Sequence, residues 1–457
     1  MNTALFWIWS VGLALSLPGS PTPSTFRGDA SHSGVFAGGV GPALARVRWS
    51  FPTHGPVRGC AVVDAGKVFF GSADGRLYAV VFATGRQLWS APLGGAVSST
   101  PAVSGGVVFA ASRNRRLTAL DASNGRIRWR FDFGAELPFP WGWDYWVSSP
   151  VVSGGFVFVG AGDGNLYALD ASTGKKRWQL ATGGRIRSTP AVVDGTVYVG
   201  SMDGKLYGAD AQTGRLRFAF ETEGATLDSV KEGYDRASIT SSPAVTQDGI
   251  FFGSRDGHLY GIARDGSGQR WRFGHKVESV PGAPEVGWVV GSPAVFSGLV
   301  FVGSSDGKFF NAVRASDGQE VWRFKTAERV FSSGAVAGDS VFFGSDDGHL
   351  FALDAATGVE RWRFATGAMI VSSPIVSGGT VLFGSDDGKL YALETGPRRA
   401  APGPAARSSG PIRVRGSGST ATPRRATTSR ARATRSWMSR RSCAFSARPS
   451  RRRDRRW

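Results

Sequence analysis

Several short strings in this 457-residue chain carry residue types that could do chemistry. Gly303-Ser304-Ser305-Asp306-Gly307 fits the Gly-x-Ser-x-Gly string, in which a strained strand-to-helix turn raises a serine hydroxyl for nucleophilic attack. Asp346-Asp347-Gly348 and Asp386-Asp387-Gly388 pair carboxylates as a calcium loop does at its start, and His258 and His349 offer imidazoles beside such turns. All of these fall at one recurring point, an Asp-Gly-type hairpin turn between two apolar runs, where other copies carry Lys205, Lys308 or Lys389. No helix follows the serine, and the carboxylates lack calcium-loop spacing. The register therefore reads them as turn residues.

The better binding candidates are aromatic and charged. Pro138-Phe139-Pro140-Trp141-Gly142-Trp143-Asp144-Tyr145-Trp146 packs Trp141, Trp143, Tyr145 and Trp146 around Asp144. Such density suits a contact surface for protein or glycan, and equally a local plug across the mouth of a channel. A second stretch holds Asp228, Lys231, Glu232, Tyr234, Asp235 and Arg236, and a third holds His275, Lys276, Glu278, Glu285 and Trp288. Either is a specific rim or a solvated surface. Arg58 and Arg187 stand at nearly corresponding points and together would suit an anion or carboxylate, or simply lie exposed.

The elements that position these residues repeat. Ser148 to Trp178 reads as four short strands rich in Val, Phe and Tyr, separated by Gly154-Gly155, Asp163-Gly164 and Ser172-Thr173-Gly174. A lone antiparallel meander with two apolar faces cannot stand in water, whereas radial repetition buries both faces against neighbours. A third-strand signature, seen in Leu166-Tyr167, occurs eight times, ending at Leu390-Tyr391. A fourth-strand aromatic also occurs eight times, at Trp49, Trp89, Trp129, Trp178, Phe218, Trp271, Trp322 and Trp362. The aromatic series runs one member ahead, so Val47 to Phe51 supplies the outer strand of the last repeat. The fold expected is all-β, an eight-bladed β-propeller of four-stranded antiparallel blades with tryptophan docking, its ring closed by an N-terminal strand.

Spacing between aromatics is forty residues from Trp49 to Trp89 and from Trp89 to Trp129. It lengthens to 49 before Trp178, 53 before Trp271 and 51 before Trp322, always between a fourth strand and the next first strand. The three aromatic and charged stretches are these expansions, and they must project from one face.

The ends differ from this body. Ala4 to Leu17 is apolar but shorter than a bilayer span, and Pro18-Gly19-Ser20-Pro21 stops it, which reads as a signal peptide and linker over residues 1–24. The protein is then exported, periplasmic or extracellular, without a transmembrane span. No Cys lies near this junction, and with only Cys60 and Cys443 in the chain neither a disulfide framework nor a Cys-based zinc site is expected. Of the net charge of +19, residues 397–457 supply eighteen Arg against one acid, Asp454, leaving the propeller body at 25–396 nearly neutral. The tail reads as disordered or as off-frame translation, and nucleic-acid binding by the folded body is not expected.

At Ala168-Leu169-Asp170-Ala171-Ser172-Thr173-Gly174-Lys175-Lys176-Arg177-Trp178 the chain resembles the tryptophan-docking repeat of the pyrroloquinoline quinone (PQQ) family, as do Ala352 to Trp362 and Ala119 to Trp129. Phe26 to Gly34 resembles the lead-in of such proteins, while Phe218 and Gly334 depart from the pattern's Trp and Pro. One branch of the resemblance implies a dehydrogenase with PQQ and Ca²⁺ in the funnel, an adjacent cysteine pair and an Asp base. This chain has no adjacent cysteine pair. The other branch, similar to the outer-membrane-protein assembly factor BamB, implies a non-enzymatic scaffold that presents loops to other proteins and is lipid-anchored through a Cys this chain lacks. The expectation is the second: a monomeric binding scaffold for a protein or cell-envelope component, without catalytic residues, metal or cofactor. The alternative is a PQQ- and calcium-dependent quinoprotein dehydrogenase with an atypical site.

Overall fold

In every repeat the fourth-strand aromatic lies opposite a small residue of the third strand: Trp178 faces Ala168, Trp322 faces Ala312, and Phe218 and Trp271 face Gly208 and Gly261. The ladder carries a bulge immediately beyond that pair, between Ala168 and Leu169 and at the matching place in other repeats. A bulge bends and twists the strand locally. Here it aims the ring away from its own sheet and toward the next one.

The computed structural model describes residues 24–141, 144, 146–274 and 287–396. These form eight four-stranded antiparallel sheets. Blades 1 to 7 span 62–92, 102–132, 151–181, 191–221, 244–274, 294–325 and 335–365. Blade 8 takes three strands from 375–396 and its outer strand from Ala43–Pro52, which pairs antiparallel with Lys389–Gly396 and sets Trp49 opposite Ala392. The expected closure is thus present, and every innermost and outermost strand belongs to a complete blade.

Trp129 shows how blades are joined. Its indole N–H donates to the carbonyl of Ala171 in the next blade at 3.1 Å, and its ring lies on Gly174. A Cβ on Gly174 would sit 2.6 Å from that ring, and φ there is +72°, so only glycine meets both demands. Asp170 shapes the turn by accepting the amides of Ser172 and Thr173 and the guanidinium of Arg177 at 2.6 Å. The repeated Asp-x-x-Thr-Gly-x-x-Arg-Trp string is therefore one device: a turn built to receive the preceding blade's indole, followed by the next indole. Trp49, Trp89, Trp178, Trp271 and Trp322 make the same N–H to carbonyl bond at 2.8–3.2 Å.

Second- and third-strand side chains fill the space between blades. Phe69, Phe158, Phe251, Phe301 and Phe342 are buried, each next to its own blade's docking Trp at ring separations of 5.6–5.9 Å. The Asp-Gly turns are equally fixed: Tyr78, Tyr167, Tyr207 and Tyr391 donate to Asp74, Asp163, Asp203 and Asp387 at 2.6–2.7 Å. His258 and His349 contact Asp256 and Asp347 of their own turns through Nδ1. Ser304 ends a strand and Ser305 opens a turn between strands, so no nucleophile elbow exists there.

The lead-in has a structural task of its own. Ala30, Ser31, Ser33 and Gly34 accept amide hydrogen bonds from Val192, Val245, Val295 and Val336, on the innermost strands of blades 4 to 7, at 2.7–2.9 Å. Ser24 bridges Val103 of blade 2. The segment thus runs across the inner strands and stops one end of the central channel, burying Phe26, Arg27 and His32. Burial of the imidazole holds the His32 pKa down at about 3, with Asp29 pulling the other way.

Removing the Trp178 ring (Trp178→Ala) should cost about 3–5 kcal/mol, whereas Trp178→Phe should cost only about 1 kcal/mol, the bond to Ala211. Urea unfolding midpoints of the three proteins check this ordering.

Candidate functional site

Two residues before the Ser or Thr (Cys60 in blade 1) that leads each innermost strand, every blade presents one side chain to the axis: Arg58, Ser98, Val147, Arg187, Thr240, Val290, Phe331 and Val371. The next-but-one position forms a hydrogen-bonded circle. The amides of Cys60, Thr100, Ser149, Thr189, Ser242, Ser292 and Ser333 each donate to the hydroxyl of the following blade, at 2.9–3.3 Å. Cys60 fills the eighth place, hydrogen-bonded with Ser373, and burial raises its thiol pKa. These two rings line a cavity of about 70 Å³ above the lead-in.

The other end is crossed by the first expanded loop. Trp146, from the connection into blade 3, reaches Phe331 of blade 7 on the opposite side of the ring, with 5.9 Å between ring centroids. Trp146 therefore lies across the axis, the plug that one of the two readings of this loop anticipates. Asp144 of the same loop is drawn into an ion-pair cluster. Arg187 binds Asp144 at 2.7 Å and Glu136 at 3.0 Å, and Arg185 binds both acids as well. Burial opposes ionisation of Asp144, but Arg187 and Arg185 outweigh it and hold its carboxyl below the usual range. Trp141 is partly exposed on this face. Trp143 and Tyr145 lie outside the described residues.

The second expansion folds inward as well. Asp235 is buried and pairs with Arg255 at 2.8 Å, and the Arg255 guanidinium lies 4.4 Å from the ring of Trp288. Arg236 donates to the Tyr234 hydroxyl at 2.8 Å, and Tyr234 stands 6.5 Å from Trp288. Asp235 is thus no solvated surface residue, whereas Asp228 caps a short exposed helix, Ser229–Glu232, through the amides of Val230 and Lys231. Of the third expansion, His275, Lys276, Glu278 and Glu285 lie outside the described residues, and Trp288 ties it to the second.

Arg58 faces the axis as anticipated and is held by Asp386, with contacts of 2.8–3.2 Å to both oxygens. Beside this pair opens a mouth pocket of about 280 Å³. Trp146, Phe331, Met369 and Val371 form its apolar wall, and Arg58, Arg329 and Asp346 its polar rim. Burial pushes Asp346 up to about 6, against the pull of Arg329, with Asp386 and Glu328 adding to the rise. Its Oδ1 is buried without a hydrogen-bond partner. Sequence reasoning took Asp346 only for a hairpin-turn residue and missed Arg185, Arg255 and Phe331. They become visible only when the repeats are aligned and each register position is read down all the copies, because spacing within a single repeat does not show which side chains share the axis.

A quinone cofactor with its metal does not fit this donor set. Among the described residues no group of three or more His, Cys, Asp or Glu side chains could hold a metal ion. The inward guanidinium groups of Arg58 and Arg187 already bind carboxylates, and Trp146 reaches across the mouth to Phe331. The site can instead take an apolar or aromatic group against Trp146 and Phe331, with hydrogen-bonding atoms at the rim.

The model of the family described as outer membrane protein assembly factor BamB matches residues 39–140, 134–311 and 310–424, reaching beyond the last described residue. No curated protein matches the chain. Among solved structures, BamB from Moraxella catarrhalis is 19% identical, covering 79% of this chain and 100% of that one with a TM-score of 0.61. Quinohemoprotein alcohol dehydrogenase from Comamonas testosteroni is 15% identical, covering 83% and 81% with a TM-score of 0.66. A europium-containing methanol dehydrogenase is 14% identical, covering 80% and 96% with a TM-score of 0.63. Likeness at these identities shows the fold alone.

Because the folded pKa of Asp346 is raised, the folded state holds that proton more tightly than the unfolded chain does. Its stabilising contribution is present below about pH 4 and lost as pH rises through about 6. Asp346→Asn should therefore match the parent protein near pH 4 and exceed its urea midpoint at pH 7–8, the gap opening above about pH 4 and complete a little above pH 6.

Proposed function

The chain belongs to the family described as outer membrane protein assembly factor BamB, and from that premise we propose that it is an exported, non-enzymatic propeller scaffold that binds a cell-envelope protein with its expanded-loop face. The observation that carries this reading is the condition of the axis. Trp146 spans it against Phe331, and the inward arginines are neutralised by Asp144, Glu136 and Asp386. What remains on that face is a mouth pocket rimmed by charge and walled by aromatic and aliphatic side chains, the composition of a protein-contact hot spot. Contacts with Arg236 and Arg255 hold Tyr234 and Trp288 in place, which lowers the entropy lost on association.

Export is part of this proposal: the apolar start of the sequence, which lies outside the described residues, supports it, as does a family described as assembling outer membrane proteins. No helix among the described residues is long and apolar enough to cross a membrane. The neutral body argues against nucleic acid as partner, and a closed ring of complete blades suits a protein acting as a single copy. The Arg-rich tail and the domain limit at residue 396 form part of the proposal.

Two measurements on the full-length protein test the reading. Titration with PQQ in the presence of Ca²⁺ should give no saturable heat and no dye reduction with alcohols; one-to-one uptake with turnover would move the protein to the dehydrogenase branch. A photo-crosslinking residue at Trp141 should capture an envelope assembly protein in the native host, while one at Val359, exposed on the blade periphery, should not. Equal capture from both positions would remove the loop face as the binding surface.

A further inference from the structure

The cavity between the lead-in and the Trp146–Phe331 contact has a one-sided chemistry. Ser149, Thr189, Ser242, Ser292 and Ser333 each accept a backbone amide from the preceding blade. None of these hydroxyls donates to a protein acceptor among the described residues. A hydroxyl has one proton to give, and burying it unused costs free energy. Thr240, one ring nearer the mouth, adds a buried Oγ1 with no hydrogen-bond partner at all. The lining includes the guanidinium-bearing Arg58 and Arg187 and no carboxylate among the described residues. Below it the lead-in buries Arg27, whose Nε is also unpartnered and whose pKa burial lowers to about 10, so the charge persists at neutral pH.

A circle of inward hydroxyl donors above the buried Arg27, with no carboxylate in the lining and with Arg58 and Arg187 already paired to Asp386, Asp144 and Glu136, is the complement of one small negative charge. We propose that this cavity binds a small monovalent anion of halide size on or near the propeller axis. A volume of about 70 Å³ admits one such ion with a water, since a water takes about 30 Å³ of liquid. Water alone would fill the space but would bring protons of its own into a lining already rich in donors. The bound ion satisfies hydroxyls from several blades at once and so ties the ring together at its centre. This site is independent of the partner-binding reading, because it lies beneath Trp146 and not on the loop face.

The test is thermal unfolding of the full-length protein in sodium gluconate, with chloride or bromide replacing gluconate at constant ionic strength. The midpoint should rise saturably with halide. Thr240→Val keeps the shape of the side chain and removes a hydroxyl with no protein partner. It should unfold like the parent in gluconate yet need about tenfold more halide for the same rise, the loss of one hydrogen bond to a charged group. Ser292→Ala also deletes the acceptor of the Ser242 amide. It should be less stable in both media, which separates ring damage from ion loss. Crystals grown in bromide should show an anomalous peak within hydrogen-bonding distance of Thr240. A parent midpoint indifferent to halide, a Thr240→Val response equal to the parent's, or no axial bromide would overturn the proposal and leave water as the occupant.

Discussion

One contact organises this molecule: an indole laid on a glycine turn of the next blade, its N–H given to that blade's carbonyl. Trp129 on Gly174, with its bond to Ala171, is the pattern, and Trp178 on Gly214 and Trp322 on Gly358 repeat it. A four-stranded blade has two apolar faces and no independent stability. Each dock buries a large aromatic surface while satisfying the one polar atom that surface carries. Because blade 8 takes its outer strand from Ala43–Pro52, Trp49 docks onto blade 1 and the contact runs on around the ring. No disulfide is needed to hold such a circle.

Closing the circle creates an axis, and the sequence then decides what the axis is for. Its own chain occupies both ends, the lead-in around His32 at one and Trp146 at the other. At the mouth, Arg187 is matched by Asp144 and Glu136 of the first expanded loop and Arg58 by Asp386 of a blade-8 turn, so much of that charge is spent within the protein. Burying such pairs is costly in isolation, and the cost is offset here because each guanidinium meets more than one carboxylate oxygen. An amphipathic loop face whose inward charges are paired is the result.

The fold was readable from sequence because the repeat is a local device. Turn, small residue and aromatic all sit within one forty-residue unit, and the one-member offset between Trp49 and the first Leu77-Tyr78 signature announced the closing strand. The face carrying the long loops was readable for the same reason. What was not readable depends on blades meeting at the axis. Asp144 and Arg187 looked like separate candidates, yet they form one ion pair. Asp235 looked solvated, yet Arg255, twenty residues on, buries it. Asp346 and Asp386 looked alike in their turns, but Arg58 holds Asp386 while one oxygen of Asp346 is left unpartnered. The amide-to-hydroxyl circle was hidden in a Ser-Ser-Pro string that reads as mere turn chemistry within any one copy.

The claim on which the functional account rests is that the channel is stopped at both ends by the protein's own chain. Cys60 reports on it directly, since its thiol belongs to the inner ring between the two stoppers and is buried. Native full-length protein can be treated with a charged aromatic disulfide reagent and the modification of Cys60 followed by peptide mass spectrometry. The account predicts that Cys60 reacts only at the rate of unfolding, and at once in denaturant. Rapid modification of the folded protein would mean an open channel, and would contradict a scaffold whose axis is closed to ligands of cofactor size.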